Sequence, residues 1–293
     1  MSSNSPLVSI VINCFNGEKY LKETIESVLN QSYNNWEIIF WDNQSTDGSA
    51  KIIKNYLDKR IKYYKSYLHT PLGKARNLAM EHAAGEWCAF LDCDDLWLPN
   101  KLQKQIDIIL SDCKNIGLVY GRMSVISEKN RYQSYWSNRM IRYDNKKSMK
   151  NLPEGRVFDE LLQLNFIPLL TAIFRRDLFN QIGGISDHME IAEDYDLFVK
   201  LSYLTNVCAV QEVVALYRVH DNNYSIGKQK QDFLETIEIV GRYLPAQSAV
   251  RALKAHHTIR SIQQIREGEV LGGITRLLFN GSLVCIFSIL YKK

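Results

Sequence analysis

Short apolar runs alternate with amphipathic segments along the first third of the chain. The runs typical of buried strands are residues 8–14, 36–41, 61–64 and 86–91. Between them, apolar residues recur at helical spacing over residues 17–30, 49–57 and 74–84. Alternation of this kind predicts the α/β class, with a mostly parallel sheet covered by helices.

The alternation continues less regularly after residue 98. Pro99 suits the first turn of a helix that ends near Asp112. Residues 128–154 are polar, and their apolar residues recur with neither the helical nor the strand period, which predicts a long loop. The other predicted elements are one or two strands within 117–126, a helix near 156–164, a strand near 169–174, helices at 176–182 and 193–204, and a strand at 207–217. We therefore expect one α/β domain over residues 1–225.

Beyond residue 225 the pattern predicts helices only, at 228–243, 246–267 and 270–291. A C-terminal helical extension is therefore expected over residues 226–293. Arg276 and Asn280 interrupt the last stretch, and its uninterrupted part is short for a membrane span. Two interpretations stay open for this stretch: a helix that lies on a membrane surface, and a helix packed in a core.

Charge is distributed unevenly along the chain. The net charge is +4, but residues 226–293 hold ten Lys and Arg against five Asp and Glu, which leaves the rest nearly neutral. A nearly neutral body is not typical of a nucleic-acid-binding protein, so no nucleic-acid partner is expected. The basic extension is either a solvated helical surface or a contact with an anionic membrane. The candidate partner for residues 270–293 is the inner membrane surface.

Cysteine use and the start of the sequence bear on the compartment. Six cysteines are scattered without a Cys-x-x-Cys pair, and an apolar fraction of 46% can form a full core without disulfides. Residues 1–6 lack the features of a secretory leader. We therefore expect reduced thiols and a cytoplasmic location. The basic extension suggests, as a second possibility, peripheral binding to the cytoplasmic face of the membrane.

Three carboxylates, Asp92, Asp94 and Asp95, follow the fourth predicted strand. The carboxyl end of a parallel strand is the ligand-binding edge of an α/β sheet. Carboxylates at alternate positions can hold a hard divalent cation, which in turn can neutralise a diphosphate. Cys93 should point to the opposite side of an extended segment, so the ligands favour Mn²⁺ or Mg²⁺ over zinc.

Several segments occur in the order found in family 2 glycosyltransferases, and the chain resembles that family. The segments are Val8–Leu21, Ser27–Tyr33, Trp41–Ser49, Ala75–Asn77, Ala84–Glu86, Leu91–Asp95, Gly183–Asp187 and Glu193–Leu197. Their combination is far more specific than any one of them. The resemblance covers about the first 220 residues. It implies an inverting enzyme of the bacterial surface-polysaccharide type with the GT-A fold, a Rossmann-like, mostly parallel sheet flanked by helices.

The resemblance also implies a set of residues that bind the donor nucleotide: Asn13, Phe15, Asn16, Asp42, Arg76 and Asp92. In similar enzymes the residue at the position of Asp42 hydrogen-bonds the uracil of a UDP-sugar, and a carboxylate accepts well from an imide N–H. The alternative for Asp42 is a carboxylate that caps a turn. Asp47 suits that role better, because it precedes Gly48 and a predicted helix.

Three of these donor-site positions need comment. Asn13 stands where the family usually has Pro or Thr, and Phe15 stands where Tyr is common. The first change affects the local contact with the base, and the second keeps the ring but loses the hydroxyl. The resemblance implies that Arg76 lies near the nucleotide phosphates. An exposed Arg that only caps or pairs is an equal alternative.

The resemblance assigns further roles at the metal. It implies Asp92 at the ribose or at a metal-bound water, and Asp94 as a direct ligand. His220 shares a strand face with Arg218, and a histidine here can join the metal or a phosphate oxygen in the family. A histidine that is merely packed or exposed is the alternative.

The Glu193-Asp194 pair resembles the catalytic acids of the family, in which the second acid is the base. Inversion needs one carboxylate on the acceptor side to take the hydroxyl proton. The alternative for both acids is the ordinary stabilisation of a helix N-terminus by negative charge. That alternative does not explain the Gly183-Gly184 turn that precedes the pair.

The expected function is therefore metal-dependent transfer of a hexose or acetamidohexose from a UDP-sugar to a hydroxyl of a glycan or a lipid-linked glycan. One rival is a non-catalytic glycan-binding or assembly protein on a transferase scaffold. Another is a phosphatase with Asp92 as nucleophile, but Leu96 stands where such enzymes need a small hydroxyl residue. The chain also lacks Gly-x-x-x-x-Gly-Lys-Ser/Thr and Gly-x-Gly-x-x-Gly motifs, which excludes common NTPase and dehydrogenase sites.

Overall fold

The computed structural model describes residues 5–111, 115–127 and 151–279. The chain forms two compact units, the first comprising Met1–Val157 with Phe166–Ile226 and the second Phe158–Asn165 with Gly227–Lys293. The predicted loop at 128–154 and the end of the predicted stretch at 270–291 fall largely outside the described residues. The assignment of residues 1–225 and 226–293 to separate functional domains stays a prediction.

A mixed sheet runs through the first unit. Its strands are β1 (Val8–Cys14), β2 (Trp36–Asp42), β3 (Ile61–Lys65), β4 (Trp87–Phe90), β5 (Leu96–Trp97), β6 (Ile116–Ser127), β7 (Ile173–Arg175) and β8 (Asn206–Val219). Their order across the sheet is β3-β2-β1-β4-β7-β6-β8-β5. The first four strands in that order are parallel to one another, so their carboxyl ends meet at one edge.

Helices cover the sheet of the first unit, and others form the second. In chain order the helices of the described residues are α1 (Glu18–Leu29), α2 (Ser49–Lys54), α3 (Leu72–Met80), α4 (Lys101–Leu110), α5 (Phe158–Gln163), α6 (Arg176–Gln181), α7 (Glu193–Leu204), α8 (Gln229–Gly241), α9 (Gln247–Arg266) and α10 (Val270–Phe279). Every residue of β1 and β2 is buried, as expected for strands covered on both faces.

The structure corrects several sequence-based boundaries. Pro99 does not lie in the first turn of α4, because that helix begins at Lys101 after an Asn100 cap. The strand predicted near 169–174 is a 3₁₀ turn at Leu169–Thr171 followed by the short β7. β7 pairs antiparallel with both β4 and β6, and β5, which the pattern did not predict, pairs antiparallel with β8. The sheet is therefore less uniformly parallel than the alternation implied.

The second unit is helical throughout its described part. It contains α8, α9 and α10, which the spacing of apolar residues predicted for the C-terminal segment, and also α5, which was predicted as part of residues 1–225. The Phe158 and Tyr243 rings pack edge to face with centroids 4.9 Å apart. His256 Nε2 lies 2.9 Å from the carbonyl oxygen of Leu162. No helix among the described residues is both long and apolar enough to cross a membrane.

Candidate active site

The acidic residues after β4 form a tight turn at the carboxyl edge of the sheet. The Asp95 N–H donates to the Asp92 carbonyl oxygen at 3.2 Å, which closes the turn. The Cys93 sulfur lies next to Gly17 and the Cys14 sulfur, whereas the Asp94 carboxylate lies beside His220. The two side chains therefore have different partners, and within the described residues no metal-binding group of His, Cys, Asp and Glu includes Cys93.

Asp95 fixes this turn to the last strand of the sheet. Its carboxylate is buried and accepts from the Arg218 N–H at 2.8 Å. Burial, reinforced by the negative charges of Asp94 and Asp92, raises the pKa of the Asp95 carboxyl well above its usual range. Asp95 therefore stabilises the turn, and it is not among the residues that line the cavity described below.

Arg218 holds the same turn from its side chain. Arg218 Nε donates to the Asp94 carbonyl oxygen at 2.8 Å, and Nη2 donates to Glu23 Oε2 on α1 at 2.8 Å. Its guanidinium lies over the Tyr20 ring at 4.5 Å. Alternation along β8 predicts that Arg218 lies on the same strand face as His220, but no local pattern predicts a role for Arg218. The available signal was that alternation, which directs both side chains to one side of β8.

Asp94 and His220 meet beside a cavity of about 420 Å³. Asp94 Oδ2 lies 2.9 Å from His220 Nε2, and both side chains are mostly buried. The cavity is lined by Phe15, Asn16, Gly17, Lys19, Tyr20, Cys93, Asp94, Val219, His220, Asp221 and Asn222. Four residues that the sequence analysis selected, Phe15, Asn16, Asp94 and His220, thus lie around one space.

A backbone contact defines the tautomer of His220. The Asn222 N–H donates to His220 Nδ1 at 3.2 Å, so Nδ1 is the acceptor of the ring. The ring proton of the neutral imidazole is then on Nε2, which faces Asp94. In this arrangement His220 is a hydrogen-bond donor towards an oxygen, and ligation of a metal through Nε2 would require the other tautomer.

A buried arginine links the acidic turn to the start of α7. Arg76 is 2% exposed, and it donates from Nη2 to Asp92 Oδ1 at 2.7 Å and from Nη1 to Glu193 Oε1 at 2.5 Å. The alternative interpretation of Arg76 was an exposed side chain that caps or pairs. Arg76 does pair with acidic residues, but it is buried and not exposed. Contact of Arg76 with nucleotide phosphates stays a prediction.

Glu193 lies in an environment that opposes its ionisation. Burial, with a further contribution from the Asp194 charge, raises the pKa of the Glu193 carboxyl to about 7 against the favourable effect of Arg76. Its Oε2 atom is buried and accepts no hydrogen bond from any residue that the structure describes. Glu193 can therefore hold or release a proton near neutral pH.

The raised pKa makes the stability of the protein depend on pH. The unfolded chain ionises Glu193 at its ordinary pKa of 4.5, whereas the native state holds the proton up to about 7. The native state thus binds more protons in this window, and the free energy of unfolding should fall as pH rises from 4.5 to 7. Glu193→Gln should flatten this decline in urea titrations at several pH values. The exposed Glu81→Gln is the control, and equal slopes in wild type and Glu193→Gln would contradict the assignment.

Asp194 follows Glu193 in the first turn of α7. Negative charge at this end of a helix is stabilised by the helix dipole, which favours an ionised Asp194. The carboxylate is close enough to influence both Arg76 and Glu193 electrostatically. Asp194 is therefore part of the group of charges that Arg76 connects to Asp92.

Asp42 ends β2 and is fully buried. Tyr63 donates from its hydroxyl to Oδ2 at 2.7 Å, and the Ser45 N–H donates to Oδ1 at 2.7 Å. Burial and the Asp42 carboxylate raise the pKa of the Tyr63 hydroxyl, which therefore stays protonated as a donor. Contact of Asp42 with a nucleotide base stays a prediction.

The capping role assigned to Asp47 is confirmed. Its carboxylate accepts from the Glu18 N–H at 2.9 Å and from the Ser49 N–H at 3.0 Å. These two groups belong to the first turns of α1 and α2, so one side chain caps two helices. Asp42 also caps a turn, because its Oδ1 accepts from the Ser45 N–H, so its alternative interpretation as a turn carboxylate is what the structure shows.

The end of β1 carries the other predicted donor-site residues. Asn16 adopts a left-handed backbone with φ of 54°, a conformation that Asn tolerates, and its Oδ1 accepts from the Thr46 N–H at 2.8 Å. The Phe15 ring is about half exposed and lies 4.4 Å from the His69 ring between centroids. Both polar atoms of the buried Asn13 amide lack a hydrogen-bond partner among the described residues.

The turn carries carboxylates of the type that binds a hard divalent cation. Asp92 pairs with Arg76 and Asp94 with His220, and Mg²⁺ is commonly bound by one or two carboxylates together with substrate phosphates. Within the described residues, no three His, Cys, Asp or Glu side chains are grouped as a complete metal site. A metal at this turn would therefore need oxygen atoms from the donor diphosphate or water to fill its coordination shell.

Comparison with solved structures defines the class of protein. The structure is similar to that of S. aureus TarS 1-349 in complex with UDP-GlcNAc, with a TM-score of 0.65, 18% identity, and coverage of 86% of this chain and 72% of TarS. It is also similar to the mannosyltransferase PcManGT from Pyrobaculum calidifontis in complex with GDP-Man and Mn²⁺, with a TM-score of 0.60, 16% identity, and coverage of 99% and 82%. The chain therefore has the GT-A fold that the sequence predicted.

Sequence comparison then gives the family. The chain belongs to glycosyl transferase family 2, whose sequence model matches residues 9–183. It is 30% identical over 227 residues to the UDP-Glc:alpha-D-GlcNAc-diphosphoundecaprenol beta-1,3-glucosyltransferase WfgD of Escherichia coli, covering 77% of this chain and 82% of WfgD. The protein is thus a glycosyltransferase that uses a nucleotide-sugar donor, and the phosphatase interpretation is wrong.

Proposed function

We propose that this protein transfers a sugar from a UDP-sugar to a hydroxyl of a glycan or lipid-linked glycan, with inversion at the anomeric carbon and with Mn²⁺ or Mg²⁺. The observation that carries the proposal is the chain of charges from Asp92 through Arg76 to Glu193, next to Asp194. It connects a turn suited to a donor diphosphate with a helix start suited to a base. WfgD is named as a UDP-Glc:alpha-D-GlcNAc-diphosphoundecaprenol glucosyltransferase, which supports a UDP-sugar donor and a diphospho-lipid acceptor.

The donor part of the proposal rests on the cavity beside Asp94. We assign the base and ribose of UDP to the edge formed by Phe15 and Asn16, which line the cavity. Asn13, at the end of β1, does not line it, but the unpaired polar atoms of its buried amide suit a polar ligand. Asp42 is assigned to the uracil imide, as the resemblance implies. TarS, which is similar in fold, was solved in complex with UDP-GlcNAc, and this supports a UDP-sugar as the donor.

The diphosphate belongs at the acidic turn. Asp94, with Asp92, would hold the divalent cation, which stabilises the charge of the departing diphosphate. His220 is assigned to Asp94 or to a diphosphate oxygen, because its Nε2 carries the proton in the observed tautomer. The predicted place of His220 as a metal ligand is retained as the alternative that the second tautomer would permit.

Asp194 is the proposed base. It takes the proton of the acceptor hydroxyl as that oxygen bonds to the anomeric carbon and the bond from this carbon to the diphosphate breaks. A single displacement of this kind inverts the anomeric centre. Glu193 is placed beside Asp194 as a buried acid that the Arg76 guanidinium orients.

The metal role of Asp94 predicts a specific loss of donor binding. Asp94→Ala removes a carboxylate ligand, so the Kd for UDP in Mn²⁺ should rise by more than about tenfold, since even indirect partners of a metal site are worth that much. Calorimetric titration of UDP with and without Mn²⁺ measures the effect. Asp107→Ala, on the exposed face of α4, is the matched control. UDP binding by Asp94→Ala that remains Mn²⁺-dependent and as tight as in wild type would contradict the assignment.

We further propose that residues 270–293 bind the inner membrane surface, where a lipid-linked acceptor would be found. The proposal rests on the excess of basic residues in 226–293 and on the apolar character of this last stretch. Deletion of 270–293 should release the protein from anionic phosphatidylglycerol vesicles in a sedimentation assay. The amount that sediments with neutral vesicles should change little on deletion. Equal sedimentation of the truncated and full chains would refute the membrane role.

A further inference from the structure

Two cysteines lie side by side at the carboxyl edge of the sheet. The parallel pairing of β1 with β4 ends with Val11 opposite Phe90 and is prolonged by the Leu91 N–H, which donates to the Val11 carbonyl oxygen at 3.0 Å. Cys14 lies three residues after Val11, and Cys93 lies three residues after Phe90. The register of the two strands therefore brings the two cysteines together. Adjacent strands lie about 4.8 Å apart. A disulfide spans about 4.4–6.8 Å between Cα atoms, which includes this spacing.

The two sulfur atoms share one small space against Gly17. The Cys14 and Cys93 thiols are close enough for each to shift the pKa of the other. A Cβ atom built on Gly17 would lie 2.6 Å from Cys93 Sγ and 2.9 Å from Cys14 Sγ. Glycine at this position therefore leaves the room that both sulfur atoms occupy, and no side chain separates them.

The two cysteines differ in burial. Cys93 is half-buried and is among the residues that line the cavity beside Asp94, whereas Cys14 is buried. Among the other cysteines that the structure describes, Cys88 is buried within β4 and Cys208 lies on β8, and neither lines this cavity. The pair that includes Cys93 is therefore the one that a small oxidant in the cavity would meet.

We propose that Cys14 and Cys93 form a reversible disulfide under hydrogen peroxide and that this bond inactivates the donor site. Peroxide oxidises one of the two thiols to a sulfenic acid and is reduced to water. The sulfur of the other cysteine then attacks this sulfur, the S–S bond forms, and a second water leaves. Two thiols are oxidised in total and one peroxide becomes two waters, so no further reactant is needed. A dithiol reductant reverses the reaction by exchange.

The bond would act on the site because of where Cys93 stands. It lies between Asp92 and Asp94 in the acidic turn, and an S–S bond of about 2.05 Å draws it towards β1. Both carboxylates would shift with it, and a displacement near 1 Å at reacting groups can cost about 100-fold in rate. Formation of the disulfide is independent of the proposed function, whereas its effect on turnover rests on it.

The test is peroxide treatment of the full-length protein, followed by alkylation and peptide mass spectrometry without reductant. We expect a cross-linked pair of peptides containing Cys14 and Cys93, removed by dithiothreitol. UDP release should fall by about 100-fold with the cross-link and recover with the reductant. Cys208→Ser is the matched control that keeps the cross-link and its reversal.

The variants Cys14→Ser and Cys93→Ser should each lose the cross-link, and either one serves if the other fails to fold. Oxidation of Cys93 to sulfinic acid in wild type without a cross-link to Cys14 would overturn the proposal. A cross-link without any change in UDP release would overturn its inactivating effect. Absence of UDP release in the reduced wild type would instead count against the proposed function, and the mass spectra would still decide whether the bond forms.

Discussion

Replacement of Asp194 by asparagine is expected to lower the rate of sugar transfer by about 10²–10⁴-fold, the range typical of a lost general base. The substitution removes basicity but little volume, so the Kd for UDP should change by less than about a factor of three, or well under 1 kcal/mol. Turnover is measured as UDP release in the presence of acceptor, and binding by calorimetry. A fall in kcat with nearly unchanged donor binding identifies an interaction made in the transition state.

Asp177→Asn is the matched control for this experiment. Asp177 also lies in the first turn of a helix, α6, but it is exposed and pairs with Arg175. It therefore shares with Asp194 the stabilisation that a helix N-terminus gives to negative charge, and it should leave turnover unchanged. Near wild-type turnover of Asp194→Asn would show that another group is the base.

Arg76→Met is expected to destabilise the protein by about 3–5 kcal/mol, the usual cost of removing one partner from a buried ion pair. The reason is that Asp92 and Glu193 would lose their shared donor, and Glu193 is almost fully buried. Urea unfolding at neutral pH measures the change. Arg76→Met combined with Glu193→Gln should recover part of the loss above pH 7, where an ionised Glu193 would otherwise be buried without its partner.

Arg175→Met is the control for the arginine substitution. Its partner Asp177 is exposed, and a surface ion pair of this kind contributes less than about 1 kcal/mol. If Arg76→Met and Arg175→Met had equally small effects, the buried charge chain would not hold the acidic turn to α7. A large effect of Arg76→Met on stability would agree with the burial that the structure gives it.

The part of the fold that the sequence predicted best is the parallel half of the sheet. β1 and β2 are buried over their whole length, and such strands read as continuous apolar runs that flanking helices separate. β5 and β7 contain two and three residues, too few to show a period of two. Their pairing depends on contacts with β8 and β4, which are distant in sequence and therefore invisible to local pattern.

The candidate site divides in a similar way. Asp94 and His220 were found through motifs, and they meet at 2.9 Å although 126 residues separate them. The two partners of Arg76 were not found, because a buried ion pair arises from tertiary packing that a local motif does not encode. Arg218 was missed as a support of the acidic turn for the same reason, since its contacts with Asp94 and Glu23 join three separate elements.

The most direct test of the account is release of UDP by the purified full chain in Mn²⁺. UDP-glucose and UDP-GlcNAc are the donors to supply first. The acceptor is a synthetic GlcNAc-diphospho-lipid, the class of acceptor for which WfgD is named. Acceptor-dependent UDP release that a chelator abolishes and Mn²⁺ restores is the result that the account predicts. Release that is indifferent to the chelator, or absent with every UDP-sugar tested, would contradict it.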